Sequence, residues 1–252
     1  MNKIFAVLPC YNEAENIEIL LRKWLAINSL LSEMDYSLQI VGIDDKSTDN
    51  TLTIFYDFAK IFENIIVIPH TVNLGLGGGV TTAFQFFIKN GIPGDYCVLM
   101  DGDNSHDPQF VFSMLKRIEH SNCDCVIASR YCNDSITVGV PQYRLLLTFF
   151  ARIYYKTILT VPNVNDYTCG YRLYSYDIIK KATEVFKGKL VTRSSFACMM
   201  EVLYKLHLVG CRFAEIPFEL RYDNKKGQSK MKVLTTIKES LFTALELKGI
   251  RI

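Results

Sequence analysis

Tyr96-Cys97-Val98-Leu99-Met100-Asp101-Gly102-Asp103 reads as a buried strand that ends in an acidic turn. The five residues before Asp101 form a continuous apolar run, the pattern of a strand covered on both faces. Two carboxylates one residue apart, separated by a flexible Gly, place oxygens around one hard cation. Mg²⁺ or Mn²⁺ takes oxygen ligands and keeps positions open for substrate phosphates. Such a site suits an enzyme that neutralises a leaving diphosphate. Asp-Gly is also a common turn pair, so an isolated Asp-x-Asp reads first as a turn. The rest of the chain decides between the two.

Outward from this stretch, strand-like and helix-like segments alternate. Residues 3–8, 38–43, 65–68 and 125–128 read as further apolar strands. Between them, residues 14–27 place Ile17, Leu20, Leu21, Trp24 and Leu25 at helical spacing. Asp49 is placed to start a helix that runs to about Phe62, and residues 79–89 and a segment beginning near Pro108 continue the alternation. This order predicts an α/β fold, a Rossmann-like, mostly parallel sheet flanked by helices. In such sheets ligands bind beyond the carboxyl ends of the strands. The polar clusters lie just there: Pro9-Cys10-Tyr11-Asn12-Glu13, Asp44-Asp45-Lys46-Ser47, Asn73-Leu74-Gly75 and Asp101-Gly102-Asp103. One crevice built from these strand ends accounts for all of them. Gly75-x-Gly77-Gly78-Gly79 does not complete a dinucleotide fingerprint, because Val80 holds its last position, and it reads as a tight turn into a helix.

The pattern changes after about residue 135. Residues 141–161 mix Leu, Phe and Tyr with Arg144, Arg152 and Lys156. Periodicity leaves two readings open, an amphipathic helix lying on a bilayer or a helix of the core. A helix near 194–207, a strand near 212–216, a basic stretch from Arg221 and a C-terminal helix over about 231–247 complete the chain.

With 49% hydrophobic and 21% charged residues the chain has the balance of a folded globular protein. A net charge of +2 gives no general case for nucleic-acid binding. None of the eight cysteines forms a Cys-x-x-Cys pair or sits at zinc-ligand spacing, which points to a reducing, cytoplasmic compartment. The first apolar run breaks at Pro9, too short for a secretory signal. No run reaches the roughly 18–20 apolar residues needed to span a bilayer. The expectation is a protein that lies peripherally on the cytoplasmic face of a membrane.

Seven segments, in order, resemble the family 2 glycosyltransferases of GT-A fold: Leu8-Pro9-Cys10-Tyr11-Asn12-Glu13, Ile43-Asp44-Asp45-Lys46-Ser47-Thr48-Asp49-Asn50-Thr51, Asn73-Leu74-Gly75-Leu76-Gly77, Met100 through Pro108, Ser129-Arg130-Tyr131, Thr168-Cys169-Gly170-Tyr171-Arg172 and Gly227-Gln228-Ser229-Lys230-Met231. The last three are similar to segments of the dolichol- and polyprenyl-phosphate sugar transferases. Two departures stand out: Lys46 replaces a usual Gly, and the stretch 222–226 is longer than the loop of many dolichyl-phosphate mannose synthases.

The resemblance implies one glycosyltransferase domain over residues 1–252, with a donor and metal half at 1–130 and an acceptor half at 131–252. It implies a GDP- or UDP-sugar donor, with Pro9, Tyr11, Glu13, Asp44, Asp101, Gly102 and Asp103 around it. Asp101 and Asp103 would hold Mg²⁺ or Mn²⁺. Arg130 and Arg144 become the candidates for gripping a polyprenyl phosphate, with Arg172, Arg221 and Lys230 as further phosphate ligands. The expected activity is inverting transfer of a sugar to that lipid phosphate. A phosphate is already ionised and needs no base. If the acceptor is instead a glycan or protein hydroxyl, Asp166 is the candidate base. A nucleotidyltransferase and a non-catalytic sugar-nucleotide-binding module stay open as different classes. His106, beside Asp107-Pro108, reads as loop-shaping rather than as a metal ligand.

Overall fold

The computed structural model describes residues 1–227 and 233–250. In chain order the elements are β1 (Asn2–Cys10), α1 (Ala14–Ala26), α2 (Asn28–Glu33), β2 (Tyr36–Asp44), α3 (Thr51–Ile61), β3 (Ile65–Pro69), α4 (Gly75–Asn90), β4 (Tyr96–Leu99), α5 (Phe110–His120), β5 (Cys125–Ser129), β6 (Ile136–Val138), α6 (Gln142–Leu159), β7 (Arg172–Ser175), α7 (Tyr176–Val185), α8 (Ala197–Leu208), β8 (Phe213–Pro217), β9 (Glu219–Arg221), a 3-10 turn at Tyr222–Asn224 and α9 (Val233–Lys248). Seven strands form one sheet in the order β3-β2-β1-β4-β7-β5-β8. All run parallel except β7, which lies antiparallel between β4 and β5. A two-stranded parallel ribbon joins β6 and β9.

Helices cover both faces of the sheet, so its central strands read as apolar runs rather than alternating ones. Ile4 through Leu8 of β1 and Cys97 through Leu99 of β4 are buried on every residue. Against β1, α4 sets Phe87 edge-on to Phe5, ring centroids 5.3 Å apart. Ile17, Leu20, Leu21 and Trp24 of α1 are fully buried, the single stripe that their spacing predicts.

The topology places the site. The chain runs outward from β1 through β2 to β3, then crosses back to lay β4 on the other side of β1. The carboxyl ends of β1 and β4 therefore diverge at a switch point, where open α/β sheets leave a crevice. Lys46 follows β2 with φ +62°, the left-handed conformation that explains why Gly is usual there.

The sequence left two points unsettled. β7 and α7 were not anticipated, because Arg172 interrupts the apolar pattern of Arg172–Ser175. α6 is not a core helix: among its residues only Tyr155 and Leu159 are buried, whereas Leu146 is 58% and Phe150 59% exposed. Among the described residues no helix is long and apolar enough to cross a membrane.

Candidate active site

A cavity of about 310 Å³ opens at the switch point. Pro9, Tyr11 and Glu13 line it from the end of β1, Asp101, Gly102 and Asp103 from the end of β4, and Gly75, Leu76 and Gly79 from the start of α4. Small residues make this convergence possible. A Cβ on Gly102 would lie 2.2 Å from Cys10 Sγ, and one on Gly79 would lie 2.8 Å from Pro9 Cβ. Glu13 is buried, and its Oε2 accepts a hydrogen bond from Asn16 Nδ2 at 2.8 Å. The Asn16 side-chain amide also donates to the Lys226 carbonyl and accepts from the Lys226 amide, tying the 222–227 segment to this wall.

Asp44, expected at the donor, does not itself line the cavity; its neighbour Asp45 does. Asp44 is buried, with Oδ2 accepting from the Ser47 amide. Its Oδ1 has no hydrogen-bond partner among the described residues. Asp45 accepts from the Leu74 and Gly75 amides, each at 2.8 Å, and so fixes the turn into α4.

Asp101 and Asp103 stand in different electrostatic settings. Burial, and then the charge of Asp103, push the Asp101 carboxyl up to about 7. Burial acts the same way on Asp103, but the charge and hydrogen bond of Lys225 and the Ser105 hydroxyl outweigh it and hold Asp103 below its ordinary value. Lys225 Nζ donates to Asp103 Oδ2 at 2.7 Å, and Ser105 Oγ to Asp103 Oδ1 at 2.6 Å. Two carboxylates that repel each other in one desolvated pocket are the oxygen donor set a hard divalent cation takes, and the Lys225 ammonium holds the position on Asp103 Oδ2 for which such a cation would compete. Among the described residues no cluster of three or more His, Cys, Asp or Glu forms a complete metal cage. Substrate phosphates and water would complete the ligand set, as is usual for Mg²⁺.

A second cavity of about 240 Å³ adjoins the first and shares Asp101, Asp103, Phe196 and Lys225 with it. Arg130 and Arg144 line it with Leu147, Ala151 and Tyr155 of α6. Arg130 Nε and Nη2 donate to Asp166 at 2.7 and 2.6 Å, and Nη2 also donates to Thr168 Oγ1. Arg144 Nη1 donates to the Tyr222 hydroxyl at 2.7 Å, with the guanidinium over that ring. The two arginines are thus brought to one cavity with the acidic pair.

Other candidates fall elsewhere. Arg172 is fully buried in β7, where its guanidinium donates to the Met199 and Tyr167 carbonyls; it braces the sheet and is removed from the phosphate ligands. Arg221 lies outside both cavities and pairs at the surface with Glu219 and Asp223, so its charge is already answered. Lys230 lies outside the described residues. Asp166 is held by Arg130: burial would raise it, but the charge and hydrogen bonds of Arg130 bring it down to about 2, which makes it a weak proton acceptor. His106 packs between Tyr171 and Phe218, and burial lowers it to about 4, so it is neutral at physiological pH. Sequence reasoning missed Lys225 and Phe196. The first was hidden in a basic stretch that reads as a solvated face; the second had no motif around it.

The family model for glycosyl transferase family 2 matches residues 5–183, most of the chain. The chain belongs to glycosyl transferase family 2. This family 2 member is 25% identical over 229 residues to an undecaprenyl-phosphate mannosyltransferase of Micrococcus luteus, covering 91% of this chain and 87% of that one. It is 26% identical over 252 residues to a polyprenol monophosphomannose synthase of Mycolicibacterium smegmatis, covering 99% of this chain and 88% of that one. Its fold is shared with glucosyl-3-phosphoglycerate synthase of Mycobacterium tuberculosis, crystallised with Mn²⁺, uridine diphosphate and glucosyl-3-phosphoglycerate: TM-score 0.69, 17% identity, 100% of this chain and 81% of that one.

Proposed function

We propose that this family 2 member moves a sugar from a nucleotide diphosphate sugar to a polyprenyl phosphate at a membrane surface. The observation that carries the reading is the junction of the two cavities. The acidic pair lines both of them: one is walled by the ends of β1 and β4, the other holds two arginines and opens beside the exposed apolar face of α6. A lipid phosphate needs both a cationic grip for its head and an apolar surface for its tail. The names of the relatives in Micrococcus and Mycolicibacterium support the same acceptor class.

In this reading residues 1–130 and 131–252 are the donor and acceptor halves of one domain. The diphosphate of a GDP- or UDP-sugar lies over Gly102, with its nucleoside toward Pro9, Tyr11 and Glu13. Asp101 and Asp103 would hold Mg²⁺ or Mn²⁺, which supplies charge neutralisation for the departing diphosphate. Arg130 and Arg144 orient an acceptor phosphate oxygen toward the anomeric carbon. The bond from that carbon to the lipid phosphate forms as its bond to the nucleoside diphosphate breaks, with inversion. The nucleophile is already an anion, so positioning and electrostatics replace a base. Asp166 supports this, since its carboxylate is committed to Arg130.

The test is transfer from GDP- and UDP-sugars with and without polyprenyl phosphate, in Mn²⁺ and in excess chelator. A glycosylated lipid phosphate and free nucleoside diphosphate are expected, both lost on chelation. Release of pyrophosphate, or transfer only to hydroxyl acceptors, would overturn the reading.

A further inference from the structure

Outside the two cavities, α8 carries a buried ion pair that the reaction does not use. Glu201 is 2% and Lys205 5% exposed, with Lys205 Nζ 2.7 Å from Glu201 Oε1. Lys205 Nζ also donates to the Lys189 carbonyl. Taking two charges out of water is costly, and well-packed apolar replacements of such pairs are often neutral or stabilising. Stability therefore does not account for the pair. Its other bonds do. Glu201 Oε2 accepts from the Thr192 and Arg193 amides at 2.8 and 3.0 Å, and Oε1 accepts from Thr192 Oγ1 at 2.5 Å. One carboxylate thus holds two consecutive backbone amides of the loop that precedes α8.

That loop packs against the glycine-rich start of α4, which lines the first cavity, and reaches the cavity itself at Phe196. The Ser194 carbonyl accepts from the Gly77 amide at 3.0 Å. A Cβ on Gly77 would sit 1.7 Å from the Arg193 carbonyl oxygen, and one on Gly75 2.5 Å from the Ser194 carbonyl oxygen. The loop and the first turn of α4 are therefore in backbone-to-backbone contact, with no room between them. Gly75 and Gly79 line the first cavity, and Phe196, two residues past Ser194, lines both. The connection runs Lys205, Glu201, Thr192 and Arg193, Ser194, Gly77, cavity wall.

We infer that Glu201 is a positioning residue for the donor nucleotide: from behind the cavity it sets the 192–196 loop, and through it the glycine turn of α4 and Phe196. The inference rests on the donor reading of the first cavity. Displacing catalytic or binding groups by about 1 Å is enough to cost large factors in rate or affinity.

Two variants and one readout test it. Glu201→Gln keeps the volume but turns an amide NH₂ toward donors that need an acceptor. Glu201→Met combined with Lys205→Met removes both charges together, so no lone charge is left buried, while the two loop amides lose their acceptor; a melting curve checks that it folds. UDP and GDP binding in Mn²⁺ is measured by calorimetry, alongside donor and acceptor KM. Both variants should bind the nucleotide that the wild type prefers about tenfold more weakly, with donor KM raised to match and acceptor KM within about twofold. Gly77→Ala, which disturbs the same contact from the other side, should give the same split. Wild-type nucleotide affinity in the doubly substituted protein would reduce Glu201 to a structural role and overturn the inference. A wild type that binds neither nucleotide would overturn the donor reading itself and this inference with it.

Discussion

Arg130 is held by Asp166 through two parallel hydrogen bonds, and that pairing decides what each can do. The guanidinium is fixed in one plane by Asp166 and Thr168, which in the proposed reaction leaves Nη1 to meet an acceptor phosphate, while the carboxylate, held down to about 2, stays ionised near neutral pH. Lys supplies charge but no planar fork. Arg130→Lys and Arg144→Lys should each slow transfer to polyprenyl phosphate by at least about tenfold, while calorimetric donor affinity stays within a few-fold. A fall in donor affinity with unchanged acceptor kinetics would move these arginines to the donor side. Asp166→Asn should destabilise the fold by about 3 kcal/mol, because it leaves a largely buried guanidinium facing a neutral amide. The pH dependence follows from the depressed Asp166. Its folded value of about 2 lies below the ordinary carboxylate value, so the unfolded chain binds more protons between the two. The stability it contributes is complete above the ordinary carboxylate range and is lost as pH falls toward 2. Urea unfolding should therefore show the gap between wild type and Asp166→Asn narrowing as pH falls from 5 toward 2; a constant gap would contradict the depressed value.

At the scale of elements, the strands of the first half were legible because both faces of the sheet are covered, so each strand is written as an unbroken apolar run ending in a polar turn. Pro9 through Glu13 and Asp101 through Asp103 were legible as polar strand ends that meet at one cavity for the same reason. Asp44 and Asp45 show the limit: adjacent strand-end residues point to opposite sides, and nothing local says which one lines the crevice. Arg172 shows another, since a basic residue inside a matched segment reads as a ligand until its carbonyl partners across the fold are known. Lys225 was the reverse case, an apparent surface charge drawn 122 residues across the chain to Asp103. α6 was undecidable from periodicity, since a stripe facing lipid and a stripe facing a core have the same period. Its exposed face gives a prediction. Leu146→Glu with Phe150→Glu should abolish sedimentation with anionic liposomes, and Tm should stay near the wild-type value because both positions are more than half exposed. High salt should weaken wild-type binding without abolishing it, as screening removes only the electrostatic part. No liposome binding by the wild type at low salt would remove the membrane from the proposed function.

Across the whole molecule, the acidic pair is where the two adjoining cavities and the 222–227 segment meet, through Asp101, Asp103 and Lys225. A nucleoside diphosphate brings negative charge to a place that already holds two carboxylates, one of them forced up to about 7 by burial and by the other. Nucleotide and divalent cation should therefore stabilise the protein cooperatively rather than independently. A ligand at about a hundred times its Kd adds about 2.7 kcal/mol, and for a chain of this size each kcal/mol moves Tm by about 2–4 °C. Differential scanning fluorimetry with UDP or GDP plus Mn²⁺ should raise Tm by roughly 5–10 °C, with either component alone giving a minor part of that rise. In Asp103→Asn the combined shift should fall to that of nucleotide alone, because the cation loses one of its two protein ligands. The full shift with nucleotide in excess chelator, or an undiminished combined shift in Asp103→Asn, would take the cation away from the acidic turn with which the chain's reading begins.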